Sequence, residues 1–146
     1  MAPAENSAEF LLLRAREAAI RGHCPYSNFH VGAAVRCDDG SVVDGCNVEN
    51  ASYGLSICAE RVALFTAISQ GKRPIELAVS CIDAQSNASP GSRMPCGACR
   101  QVMQELLPSK ANVNIDGVGT QPLEQLLPAP FALEQPKINR SSPSQN

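Results

Sequence analysis

The sequence predicts an α/β fold in which a mixed sheet carries helices on its faces. Three observations predict it. Strand-like and helix-period runs follow one another in the order α-β-β-α-β-α-β, with room for one more strand near the end. Asp38-Asp39-Gly40 joins two strand-like runs as a hairpin, so that pair is antiparallel. Further on, strand-like and helical runs alternate, and a β-α-β-α-β order favours parallel neighbours.

Each element has its own signal. Asn6 and Glu9 read as a capping box for a helix over about residues 7–21, stopped by Gly22. Leu11, Leu12, Ala15, Ala18 and Ala19 give that helix an apolar face, a packing surface without chemistry. Cys24-Pro25-Tyr26-Ser27-Asn28-Phe29 is a turn into a strand over residues 29–37. Gly32 inside that strand marks close approach of another backbone or of a ligand. Residues 41–47 return as the second strand, and Val48-Glu49-Asn50-Ala51 leads through a Gly-containing loop to Cys58. The helix from Cys58 ends at Gly71, with Lys72 and Arg73 near its negative end and Pro74 forbidding continuation. Residues 75–82 are a buried strand and 83–94 a polar loop. A helix from Cys96 stops at Pro108, residues 111–116 form a strand, Gly117-Val118-Gly119 a turn, and 123–127 a short helix. One domain over residues 1–133 is expected, with a polar, Pro- and Ser-containing mobile tail over 134–146.

Bulk composition narrows the function classes. Apolar content of 44% and charged content of 18% suit an ordinary globule. A net charge of −2, no Trp and no basic run argue against nucleic acid as a partner. No apolar stretch is long enough to span a membrane, and residues 1–9 lack a signal-peptide pattern, so a cytoplasmic location is expected. The seven cysteines are an odd number without framework spacing. In an intracellular protein, metal ligation explains them better than disulfides do.

Chemistry concentrates in two stretches. Cys58-Ala59-Glu60-Arg61 sets a thiol and, two residues on, a carboxylic acid at a helix start. Pro95-Cys96-Gly97-Ala98-Cys99-Arg100-Gln101 sets two thiols three residues apart, on one helix face. Cys58, Cys96 and Cys99 could hold one zinc, and a catalytic zinc keeps its fourth position for water or substrate. A closed structural site would need a fourth ligand, and no further C-x-x-C or His pair supplies one. His23 and His30 are poor candidates for it. Cys37, Cys46 and Cys81 sit in strand patterns and read as small core residues, while Cys24 is undetermined. Glu60 also suits any first helical turn through the dipole. Its place beside a metal ligand favours a general base, then general acid. Two helix N-termini aimed at the metal offset part of the charge of three thiolates. Arg61 is either a donor to thiolate sulfur or a solvated helix arginine.

These motifs resemble those of the zinc-dependent nucleoside and nucleobase deaminases, whose pattern is Cys or His, x, Glu, then Pro-Cys-x-x-Cys. Over residues 10–133 the chain is similar to the small homotetrameric cytidine deaminases of pyrimidine salvage. The likeness extends to Pro25-Tyr26-Ser27-Asn28-Phe29, Val31-Gly32-Ala33-Ala34, Asn47-Val48-Glu49-Asn50-Ala51, Leu126-Leu127-Pro128 and Phe131. His30 stands where the family usually has Pro, and Ser52 and Gly54-Leu55-Ser56 vary a loop near the site. The resemblance implies a three-layer α/β/α sandwich with a mixed sheet of about five strands. It implies one zinc per chain on Cys58, Cys96 and Cys99. Cytidine and 2′-deoxycytidine would be deaminated to uridine and 2′-deoxyuridine with release of ammonia. Glu60 would move the protons, Asn47 and Glu49 hold the ribose 3′-hydroxyl, Phe29 pack on the base, and the Ala59 N–H meet the base carbonyl. Arg61 would support the thiolates, and Tyr53 and Phe131 would reach a neighbouring subunit's site. A zinc scaffold without activity would keep the cysteines but not need Glu60.

Overall fold

The Ser7 hydroxyl accepts the Phe10 N–H at 3.1 Å and so starts helix α1 (Ala8–Ala19). The cap is thus one residue beyond the expected Asn6, because Ser7 is the residue with extended backbone ahead of the first helical turn. The computed structural model describes residues 1–134. The mobile tail expected over 134–146 lies, beyond Glu134, outside the described residues.

The strands are β1 (Val31–Cys37), β2 (Val42–Cys46), β3 (Pro74–Cys81), β4 (Asn112–Ile115) and β5 (Gly119–Pro122). Helices α2 (Ala59–Ser69), α3 (Gly97–Leu106) and the short α4 (Leu123–Leu126) complete the order. They form one five-stranded sheet, β2-β1-β3-β4-β5. β1 pairs antiparallel with both β2 and β3, and β3 pairs parallel with β4. The predicted parallel neighbours therefore occur once, across α3. The β2-α2-β3 crossover instead skips over β1, which lies between its two strands. β5 is the extra strand. It begins at Gly119, the last residue of the predicted turn, where φ is +133°.

Alternation along the central strands divides the core into two layers. On one face Ala34 and Ala78 meet Leu11 and Ala15 of α1. On the other, Ala33, Val35, Leu77, Val79, Val113 and Ile115 pack with Ala63, Leu64 and Ala67 of α2 and with Cys99 and Met103 of α3. The result is an α/β/α sandwich. Small residues set its layer spacing. A Cβ at Gly32 would fall on the Ala15 carbonyl and the Ala19 amide, so the close approach marked by this glycine is that of α1. A Cβ at Gly45 would come within 2.5 Å of the Ala63 nitrogen, which brings α2 down onto β2.

Candidate active site

Helices α2 and α3 both start at the sheet edge formed by the ends of β2 and β3. Each begins on a cysteine: Cys58 is the N-cap of α2, and Cys96 the N-cap of α3. Cys99, one turn into α3, is fully buried and points back to the same place. The three sulfurs lie within 4.8 Å of one another. The Cys58–Cys96 separation is 3.9 Å and the Cys96–Cys99 separation 3.5 Å. Tetrahedral zinc with Zn–S near 2.3 Å sets sulfurs ~3.8 Å apart, so the donor set fits that ion. The Cys99 N–H donates to Cys96 Sγ at 3.5 Å, and Arg61 Nη2 donates to Cys58 Sγ at 3.5 Å. Hydrogen bonding to Cys99, then to Arg61 and Cys96, pulls the Cys58 thiol down to about 5. The contact with Cys58 and burial push the Cys99 thiol up. Of the two alternatives for Arg61, the sulfur donor is the one seen. Its Nε is buried without a hydrogen-bond partner among the described residues.

Glu60 is only 4% exposed, and burial pushes its carboxyl up to about 7. It lines a cleft of about 240 Å³ together with Cys58, Cys96, Phe29, Asn47 and Glu49. These six residues, predicted from separate stretches, thus share one cavity, while Cys99 is buried beside it. The cleft lies at the carboxyl ends of β2 and β3, where open α/β sheets hold ligands. The Ala59 N–H is at the first helical position of α2, where no intrahelical acceptor exists.

Asn47 and Glu49 also frame the cleft. Asn47 Oδ1 accepts the Val31 N–H at 3.0 Å, and its Nδ2 donates to the Phe29 carbonyl at 2.8 Å. Glu49 accepts the Tyr26 and Ser27 N–H groups at 3.1 and 3.2 Å and the Ser27 hydroxyl at 2.6 Å. The Ser27 hydroxyl, then its N–H and that of Tyr26, hold the Glu49 carboxyl below its usual range. The turn thus takes both of its polar anchors from the residues expected to meet the ribose.

Tyr53 and Phe131 do not line this cleft. Tyr53 is 74% exposed and packs edge-on to Tyr26 with centroids 5.9 Å apart. Phe131 is 68% exposed, and its carbonyl accepts from Gln101 Nε2 at 3.0 Å. Other lining residues were not foreseen. Cys81, buried at the end of β3 as expected, also lines the cleft, and burial pushes its thiol up to about 11. Ser92, Arg93 and Met94 line it from the loop before Cys96. Their one signal was adjacency to the Pro95-Cys96 turn.

A family model described as the cytidine and deoxycytidylate deaminase zinc-binding region matches residues 5–114. The chain belongs to this family. A cytidine deaminase of Halalkalibacterium halodurans is 46% identical over 130 residues, covering 86% of this chain and 95% of the relative. One from Mycobacterium tuberculosis is 43% identical, over 82% and 86%. The crystal structure of a cytidine deaminase from Burkholderia pseudomallei superposes with TM-score 0.76 at 42% identity, covering 86% of this chain and 99% of that one. The M. tuberculosis crystal structure gives 0.73 at 41%, over 86% and 97%. The mixed five-stranded α/β fold matches these structures, and zinc is the family's metal. Among the described residues, no helix is long and apolar enough to cross a membrane.

Proposed function

We propose that this chain deaminates cytidine and 2′-deoxycytidine hydrolytically, giving uridine or 2′-deoxyuridine and ammonia, as a step of pyrimidine salvage. The observation that carries this reading is a cluster of three thiols, two of them lining the same cleft as a buried carboxyl and an aromatic wall. In this reading Cys58, Cys96 and Cys99 hold one zinc per chain. The bound ion supplies Lewis-acid activation of the attacking water at neutral pH. Glu60 takes one proton from the water that adds to C4 and passes it to N3; it then carries the C4 hydroxyl proton to the amine, which leaves as ammonia as the C4–N bond breaks and the C4 carbonyl forms. Its burial beside the thiols supports a role in which it exchanges protons without bulk solvent. Phe29 packs on the base and the Ala59 N–H donates to the base carbonyl. Asn47 and Glu49 meet the ribose with the hydrogen-bonding capacity their framing bonds leave free. Arg61 supports the thiolates.

The same reading makes the protein a cytoplasmic homotetramer, one domain over residues 1–133 per chain, that takes a free nucleoside and neither nucleic acid nor membrane. Tyr53 and Phe131 serve a neighbouring subunit's cleft. Their exposure outside their own chain's cleft supports this. The test is loss of cytosine-type ultraviolet absorbance with stoichiometric ammonia from free cytidine. A zinc-loaded protein that releases no ammonia overturns the assignment.

A further inference from the structure

The cleft wall at Phe29 and His30 precedes β1, and pairing with the β3 side reaches it at the His30 carbonyl. Side chains hold the rest: the Ser27 hydroxyl accepts the Phe29 N–H at 3.0 Å, and two more grip the wall from either side. Asn47 grips the Phe29 carbonyl and the Val31 N–H from the β2 side. From the β3 side, Asp83 Oδ2 accepts the His30 N–H at 2.7 Å and lies 2.6 Å from His30 Nδ1. The His30 carbonyl in turn accepts the Ile82 N–H at 3.2 Å. One carboxylate oxygen thus meets both the N–H and the ring Nδ1 of the residue between two cleft-lining side chains, Phe29 and Val31. The His30 N–H, then the His30 ring, hold the Asp83 carboxyl below its usual range. Asp83 itself does not line the cleft. It lies two residues past the end of β3, in the segment that carries Ser92, Arg93 and Met94 to the cleft and ends at the Pro95-Cys96 turn.

We propose that Asp83 is a positioning residue for nucleoside binding: through His30 it sets the Phe29–Val31 wall against the segment leading to Cys96. This rests on the deaminase reading. Charge-assisted bonds of this kind are the stronger ones, and their loss lets the wall relax without touching a metal ligand. Binding of the nucleoside should suffer more than the chemical step.

The test is a double-mutant cycle in steady-state cytidine kinetics, with zinc content measured on every variant. Asp83→Ala should raise KM about tenfold, as expected for a lost hydrogen bond to a charged group, while kcat changes less than about threefold. Asp83→Asn keeps an oxygen acceptor and should restore most of the KM. His30→Pro removes both the N–H and the ring, and proline is the residue the resembled family usually carries here. In that background Asp83→Ala should add nothing, since the coupling runs through His30. Zinc content should not change. Asp83→Ala with unchanged KM overturns the proposal. So does an equal penalty in the His30→Pro background, or a loss shared equally by kcat, KM and zinc. Should Asp83→Ala fail to fold, the same cycle with Asp83→Ser is read by the same criteria. A wild-type protein inactive on cytidine overturns both this and the functional reading; an active one unaffected at Asp83 overturns this alone.

Discussion

Three thiolates around a divalent zinc leave a site of about −1, which opposes ionising a water beside it. Arg61 is placed to answer that charge, with Nη2 3.5 Å from Cys58 Sγ and the rest of its guanidinium partly buried. Arg61→Ala should therefore weaken zinc binding about 10–100-fold, the usual effect of losing a group that supports a metal ligand. Competition with a chromogenic chelator measures this, and zinc retention equal to wild type would remove the role. Glu60→Gln should keep the fold and the zinc but lose about 10²–10⁴-fold in turnover, the usual worth of a general acid–base. Near-normal turnover in that variant sinks the proton-transfer scheme. Cys58, Glu60, Cys96 and Cys99 were legible in the sequence because the geometry within each motif is local, while the meeting of the two motifs across 38 positions came with the family resemblance. Each thiol or acid sits within one turn of a helix start, and a motif of four or five residues encodes that. The grip of Asn47 on Phe29 and Val31, and of Asp83 on His30, was not legible. Those contacts join residues 16 to 53 positions apart, and no short pattern encodes such a separation.

At the scale of elements, the position of the site depends on how closely the helices sit on the sheet. Gly45→Ala pushes a methyl against the backbone of α2, the helix that carries Glu60 and is capped by Cys58. Overpacking of this kind costs about 1–3 kcal/mol, to be read from the urea midpoint. A midpoint equal to wild type would mean that α2 has room to retreat. On the opposite face, Asp116 ties α1 to the sheet. It accepts Arg16 Nε and Nη2 at 2.9 and 2.8 Å and the Ser80 hydroxyl at 2.7 Å. The Arg16 guanidinium, with help from Ser80, holds the Asp116 carboxyl below its usual range. A folded carboxyl that binds its proton less tightly than the unfolded one contributes stability above the ordinary carboxylate pKa of about 4. That contribution disappears as pH falls through the lower folded value. Asp116→Asn should accordingly flatten the acid limb of a stability-versus-pH curve. Parallel curves for the two proteins would remove the assignment. The helices of this frame were legible from their apolar period and stop signals. The cap of α1 and the start of β1 were less so. Asn6 and Ser7 are both good caps, and the Phe29-His30 backbone is held largely by side chains, with one bond from the β3 side at the His30 carbonyl.

For the whole molecule, the apolar side chains left in solvent matter as much as those in the core. Tyr53 and Leu55 are exposed beside the cleft, Phe65 and Ile68 on the outer side of α2, and Phe131 and Leu133 beyond α4. Exposed apolar groups clustered near a binding site mark an interaction surface. The proposed homotetramer covers them with other copies of the chain. The three thiols proposed to hold zinc, in contrast, all come from one chain, as does Glu60. Assembly and metal binding should therefore separate. On dilution, activity should fall with the fraction of tetramer, while zinc stays with the folded monomer. Mass photometry, activity and zinc content followed on the same samples test this. A sharper form mixes two impaired variants. Phe131→Ala chains keep their own Glu60 but offer neighbours no ring. Glu60→Gln chains are inactive but offer an intact Phe131. Subunit exchange between them should create clefts with a working Glu60 and a neighbour's Phe131, so activity should rise above that of either parent. A mixture that exchanges subunits without any gain, or a monomer fully active on cytidine, would end the shared-cleft reading and leave the thiol and Glu60 assignments standing.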